Sequence, residues 1–307
     1  MKRLFRLFLL LAVAGAGVFW WLTQPSRLDA LPASMQGYAG DRANGELMFY
    51  AGGCSSCHAA PGSDDKTRLA GGVRLDSPFG AFVAPNISPD PKDGIGGWSA
   101  LDFVNAMTKG VSPGGSHLYP AFPYTSYQRM KLQDLLDLKA YLDTLPAVAG
   151  KAPPHEVGFP FNIRRGLGLW KLLYLDGQRF QPDPDATDEV NRGAYLVNGP
   201  GHCGECHTPR DLIGGLRTDK WLAGAPNPEG KGIIPNITPH EQGLASWSNK
   251  DIAYALESGF TPDFDSLGGS MGKVVGNTSH LSPQDRDAIA AYLKSLPPLP
   301  NGYKAKQ

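Results

Sequence analysis

Cys54-Ser55-Ser56-Cys57-His58 and Cys203-Gly204-Glu205-Cys206-His207 repeat one spacing and together use all 4 cysteines of the 307-residue chain. Two thiols at that spacing can add to the two vinyl groups of a haem as thioethers. The histidine next in the chain can then ligate the iron from one face. No thiol is left for a disulfide, a zinc cage or a nucleophile. The expectation is two covalently bound haem c groups, held by Cys54, Cys57 and His58 and by Cys203, Cys206 and His207. An iron-bound His also needs an acceptor for its other ring N–H. The loops Pro85-Asn86-Ile87-Ser88-Pro89 and Pro235-Asn236-Ile237-Thr238-Pro239 recur at the same period as the haem motifs. They could supply that carbonyl or hold a haem propionate.

Each iron also needs a sixth ligand or a vacant site. Met271 sits in a Gly-Gly-Ser-Met-Gly stretch before the last helix and is the expected partner opposite His207. His/Met ligation raises the potential relative to two histidines. The first half has no methionine at the matching place, which falls on Tyr119-Pro120-Ala121-Phe122. There His117, in a Gly-rich loop, is the first expectation, Met130 the second and a vacant site the third. Met48 and Met107 read as core, and His155, His202, His240 and His280 as ordinary loop or surface residues.

The elements that position these residues also come in pairs. Trp98-Ser99-x-x-Asp102 matches Trp247-Ser248-x-x-Asp251, and Ala140-Tyr141-Leu142 matches Ala291-Tyr292-Leu293. The Ser-x-x-Asp steps are capping boxes that predict helices near 99–110 and 248–258, ended by Gly110 and Gly259. Closing helices are expected from about Leu132 to Leu145 and from Ser282-Pro283 onward. Short helices at about 42–50 and 189–197 precede the haem motifs. Strand signals are scarce, so the expected fold is all-α. It divides into an N-terminal segment (1–24), a haem domain (38–146), a Pro-rich connecting strap (147–184) and a second haem domain (185–298). In the strap, the apolar run from Leu167 to Leu175 reads as packing across the domains, with a partner or membrane surface as the alternative.

The counts of Gly (38) and Pro (27) favour long structured loops. With 29 basic and 29 acidic side chains the net charge is zero, and no basic block suggests nucleic acid. Lys2, Arg3 and Arg6 precede an uncharged stretch from Leu7 to Leu22 that ends in Phe19-Trp20-Trp21. Basic residues on that side keep the amino end in the cytoplasm and export the chain beyond the stretch. An uncleaved transmembrane anchor is expected, because the length fits and the Trp pair sits where an interface belt would. A signal peptide cleaved after Ala14-Gly15-Ala16 is the alternative. Either way the haem domains lie outside the cytoplasm, in the periplasm, tethered to the inner membrane or soluble.

With these motifs in hand the chain resembles the cytochrome c subunits of membrane-bound bacterial alcohol and aldehyde dehydrogenases. The matching segments are the two Cys-x-x-Cys-His motifs, Pro-Asn-Ile-Ser/Thr-Pro, Leu118-Tyr119-Pro120-Ala121-Phe122-Pro123-Tyr124 and the Ala-Tyr-Leu-x-x-Leu-Pro endings. The resemblance implies two tandem class I cytochrome c domains. It also implies electrons taken from a periplasmic dehydrogenase and passed to quinone or a terminal oxidase. The sequence departs from that pattern twice: those subunits carry three haem domains where two are seen here, and they often have Met where this chain has Phe122. The expected role is therefore an electron carrier. The rival is a haem enzyme, a dihaem peroxidase or thiosulfate-oxidising cytochrome, acting at the first haem.

Overall fold

In the computed structural model, which describes residues 1–228, 230 and 232–303, the apolar N-terminus is one helix, α1 (Lys2–Leu22), with no buried residue. Among the described residues it is the one helix long and apolar enough to cross a membrane. Its last turn is closed by Thr23, whose Oγ1 donates to Phe19 O at 2.6 Å. The chain beyond is fastened to the first domain. Arg27 donates to Asp102 and to Pro113 O, both at 2.9 Å, and Leu28 exchanges two backbone hydrogen bonds with the Asn105 side chain.

The first domain contains α2 (Arg42–Ala51), α3 (Cys54–His58), α4 (Ala100–Lys109), α5 (Tyr124–Tyr127) and α6 (Leu132–Leu142). Helix α7 (Leu167–Tyr174) lies in the strap. The second domain contains α8 (Asp188–Asn198), α9 (Gly204–His207), α10 (Asn249–Ser258), α11 (Ser270–Thr278) and α12 (Pro283–Ser295). The capping boxes predicted at Ser99/Asp102 and Ser248/Asp251 are both formed, and Gly110 and Gly259 end those helices with left-handed backbones. Each such cap contributes about 1 kcal/mol.

In each domain the first helix crosses the last: α2 lies against α6, and α8 against α12. Glycine is required at both crossings. A Cβ on Gly45 would run into the Asp137 carbonyl, and one on Gly193 into the Ala288 carbonyl. Beside the first crossing lies a cluster that includes Met48, Phe49, Met107, Met130 and Leu135. Beside the second lies one that includes Tyr195, Leu196, Leu222, Ile289 and Leu293. Burying one such side chain contributes about 1.5–3 kcal/mol.

The all-α expectation needs correction. Strands β1 (Arg74–Ser77) and β2 (Gly80–Val83) form an antiparallel hairpin, and β3 (Glu156–Val157) adds to it from the strap. In the second domain β4 (Ala225–Pro226) pairs with β5 (Ile233–Ile234). Strands of two to four residues are too short to show a two-residue alternation, so pairing rather than pattern creates them.

The strap runs along the first domain and onto the second. His155 Nδ1 accepts from Val83 N at 3.0 Å, and Lys171 Nζ donates to Lys109 O and Gly110 O at 2.7 Å each. Further on, Trp170 Nε1 donates to Ile213 O at 3.0 Å, and Tyr174 OH to Asp211 at 2.6 Å.

Candidate metal centres

Gly53, with φ of 55°, turns the chain into α3, so that Cys54, Cys57 and His58 share a single helical turn. Cys54 packs against the first buried cluster together with Ile87, Trp98 and Phe122, and Cys203 packs against the second with Trp221, Ile237 and Trp247. Trp98 and Trp247 thus pack against the same cluster as the first cysteine of their own motif.

Behind each histidine stands the same acceptor. His58 Nδ1 lies 2.8 Å from Pro85 O, and His207 Nδ1 lies 2.8 Å from Pro235 O. A carbonyl can only accept, so Nδ1 carries the proton and Nε2 keeps its lone pair for a metal. The acceptor loops are themselves braced. Buried Asn86 donates to Val148 O at 2.7 Å and accepts from Ser88 N at 2.9 Å. Buried Asn236 donates to Leu299 O at 2.8 Å and accepts from Thr238 N at 2.9 Å. Of the two roles open to the Pro-Asn-Ile-Ser/Thr loops, the carbonyl role is therefore met.

Burial lowers the pKa of both histidines, against the raising effect of the proline carbonyls, and so favours the neutral ring that a metal requires. Burial pushes the Cys54 and Cys203 thiols up to about 12, which makes them poor nucleophiles at neutral pH. None of the four cysteines is in a disulfide. A neutral imidazole and two thiols on one turn, beside an apolar cluster, fit a covalently attached haem in each domain.

The candidate sixth ligands sit in different surroundings. Met130 is 1% exposed, and it shares its cluster with Cys54, Phe122 and Tyr127. Its peptide is pinned, with N donating to Tyr127 O at 3.0 Å and O accepting from Arg179 Nη1 at 2.8 Å. His117 is also buried but faces elsewhere: its Nε2 lies 2.9 Å from Thr23 O at the foot of α1, and its carbonyl accepts from Arg164. Met48 and Met107 are core residues of the first cluster, as expected. Met271 is the second residue of α11 rather than part of a loop, and is half-buried.

Each haem motif is gripped by the opposite domain, which the sequence did not announce. Ser55 donates to Asn277 Oδ1 at 3.1 Å, and Asn277 Nδ2 donates to Ser56 at 2.9 Å, so α11 of the second domain grips the first motif. Reciprocally, Thr125 and Ser126 of α5 donate to Glu205 of the second motif at 2.9 and 3.1 Å, and Arg210 closes on the same carboxylate at 2.6 Å. Between them Tyr50 stacks on His280 at 3.9 Å, Tyr127 meets His202 edge-on at 5.5 Å, and Tyr195 OH donates to Asp134. The one available signal was the polar character of the residues between the cysteines, Ser-Ser and Gly-Glu.

Comparison with known proteins bears directly on these sites. The family model described as Cytochrome c matches residues 42–146 and again residues 190–297. A diheme cytochrome c-type protein of Cereibacter sphaeroides is 53% identical over 290 residues, covering 94% of this chain and 96% of that protein. The cytochrome c subunit of an alcohol dehydrogenase (quinone) from Gluconacetobacter polyoxogenes is 37% identical, with 83% of this chain and 56% of the subunit covered. The fructose dehydrogenase cytochrome subunit of Gluconobacter japonicus is 34% identical, with 94% of this chain and 57% of the subunit covered. The chain thus spans nearly all of the first relative and a little over half of the other two.

Proposed function

Since this chain belongs to the cytochrome c family in both of its repeats, we propose that it is a dihaem electron carrier that takes electrons from a dehydrogenase and delivers them to a membrane quinone or a terminal oxidase. The observation that carries this reading is the pair of histidines whose Nδ1 protons are fixed on Pro85 O and Pro235 O. When bound, haem supplies a one-electron ferric/ferrous couple. The protein's part is to hold each imidazole in one tautomer, exclude water with the two apolar clusters and fasten each motif to the opposite domain. The Asn277 and Glu205 contacts serve that last purpose.

Met130 is the better ligand for the first iron, because it lies in the cluster that holds Cys54 whereas His117 is turned to Thr23. Met271 remains the candidate for the second. With Met130 in place, the absence of methionine at Phe122 no longer argues for a vacant, catalytic first iron. The names borne by the dehydrogenase relatives support a dehydrogenase as electron donor. The length and exposure of α1 support an uncleaved anchor with both haem domains on the periplasmic side.

Ferric-state spectroscopy of protein matured in a host with a haem-attachment system tests the proposal. Two low-spin haems and the added mass of two groups are expected. A high-spin component that binds cyanide rapidly would favour the enzyme reading, and a chain without covalent haem would end both.

A further inference from the structure

Helix α7 is inside out. Leu169, Leu172 and Leu173 stand at i, i+3 and i+4 and are 40%, 62% and 67% exposed, while Gly168 and Lys171 face inward. The buried Lys171 is held by two carbonyls at the end of α4 and lies 4.8 Å from the centre of the Tyr124 ring. A helix on a water-bathed surface does the reverse, turning its leucines in and its lysine out. Single exposed leucines are ordinary, but a stripe of them opposite a buried cation is not. The stripe also has a neighbour. The loop after Asp211 is fastened to α7 through Trp170 and Tyr174 and projects Leu212 at 98% exposure.

We infer that α7 and the Leu212 loop form a membrane-seated face that rests in the interfacial layer of the same bilayer that holds α1. The inference rests on the anchor reading of α1 and adds a second, lateral contact with lipid.

The foot of α1 selects lipid over another occupant. Gly168 lies so close to Thr23 that a Cβ would come within 2.5 Å of its Cα. From the preceding turn Arg165 donates to Thr23 Oγ1 at 2.9 Å and to Trp20 O at 2.6 Å, and its guanidinium lies 3.9 Å from the Trp20 ring centre. The level at which the apolar helix leaves the membrane is thus the level at which α7 begins. Trp20 and Trp21 close α1 at that level, where indole rings with one apolar and one polar edge are favoured. An apolar stripe beginning there meets lipid before it meets any soluble partner. Short amphipathic helices bind interfaces through such a buried apolar face.

Because haem attachment uses every native cysteine, one introduced cysteine can be labelled selectively. The full haem-loaded chain is reconstituted in vesicles of phosphatidylethanolamine and phosphatidylglycerol. An environment-sensitive fluorophore is attached at Leu173→Cys, Leu212→Cys, Trp21→Cys or Lys250→Cys, the last on the exposed side of α10. Each emission is compared with and without nitroxide-bearing lipid, and with and without aqueous iodide. The inference expects lipid quenching of about twofold or more and shielding from iodide at Leu173 and Leu212, as at Trp21, with the opposite at Lys250. Lipid quenching at Trp21 with iodide access at Leu173 would overturn the lateral face and leave the anchor standing. Shielding of Leu173 from both quenchers would mean that another copy of the chain covers the stripe, which also overturns it. Loss of lipid quenching at Trp21 itself would remove the anchor and the inference together.

Discussion

The two haem sites are near copies on one side and strangers on the other. Behind His58 and His207 the arrangement repeats to within the geometry of a hydrogen bond: a proline carbonyl at 2.8 Å, then a buried asparagine, then a hydroxyl residue two positions on. In the proposed sixth ligands they differ: the first domain has Met130, sealed in the core just ahead of α6. The second offers Met271, half-buried at the start of α11, where the first domain has only the shorter α5. Attachment needs fixed geometry, so both copies have kept it. The far side tunes potential, and there the copies have parted. Unlike sixth ligands would set unequal potentials and so give electron flow a direction that two identical haems would not.

The comparison breaks most visibly if attachment itself is removed. The double change Cys54→Ser with Cys57→Ser, or Cys203→Ser with Cys206→Ser, should delete one haem and halve the pyridine haemochrome signal while the other site still loads. Loss of both haems from either variant would show that the sites mature as one unit. Next in size are the far-side ligands. Met130→Ala should lower the potential of the first haem alone and Met271→Ala that of the second alone, each by a sizeable part of the ~0.8 V range that axial ligands command. Redox titration followed by visible spectroscopy reads both. His117→Ala should leave both potentials in place, and a large shift there would restore His117 as a ligand.

A second asymmetry is the buried Lys171, held against the end of α4 of the first domain. Burial pulls its pKa from the ordinary 10.5 down to about 7. Between those values the unfolded chain binds more protons than the folded one, so stability should rise as pH climbs from about 7 to 10.5. Below that window both states carry the charge and the contribution is flat. Denaturant midpoints measured across the window should show the slope in the parent, and Lys171→Met should remove it. The smallest effects belong to the contacts between domains. Tyr195→Phe and Glu205→Gln should each cost about 1–2 kcal/mol in chemical denaturation. Glu205→Gln should also slow electron exchange between the haems if the grip holds them in register.

Local chemistry made much of this legible in advance. The middle helices could be read because a capping serine, an acid three positions on and a terminal glycine are signals within one segment. The strands could not, since β1 and β2 exist by pairing with each other and β3 arrives from a strap some 70 residues away. The Gly-Gly-Ser-Met-Gly composition pointed to a loop at Met271. Asn277 and Thr278 instead tie that segment down as a helix, Thr278 through its bond to Leu256 O and Asn277 through its bonds to the first domain. The glycine-rich setting of His117 suggested a ligand, and its observed partner, Thr23, lies 94 residues earlier in the chain. Long-range pairing stayed hidden, because no single segment encodes it.

The base of α1 has a mechanical consequence. Arg27 and Leu28 clasp the first domain while Arg165 and Gly168 clasp the stem, so the head turns only as its stem turns. Whatever medium embeds that stem, the first domain is held close against its foot. Inserting slack between Thr23 and Leu28 would free the first domain from its stem only after both clasps let go.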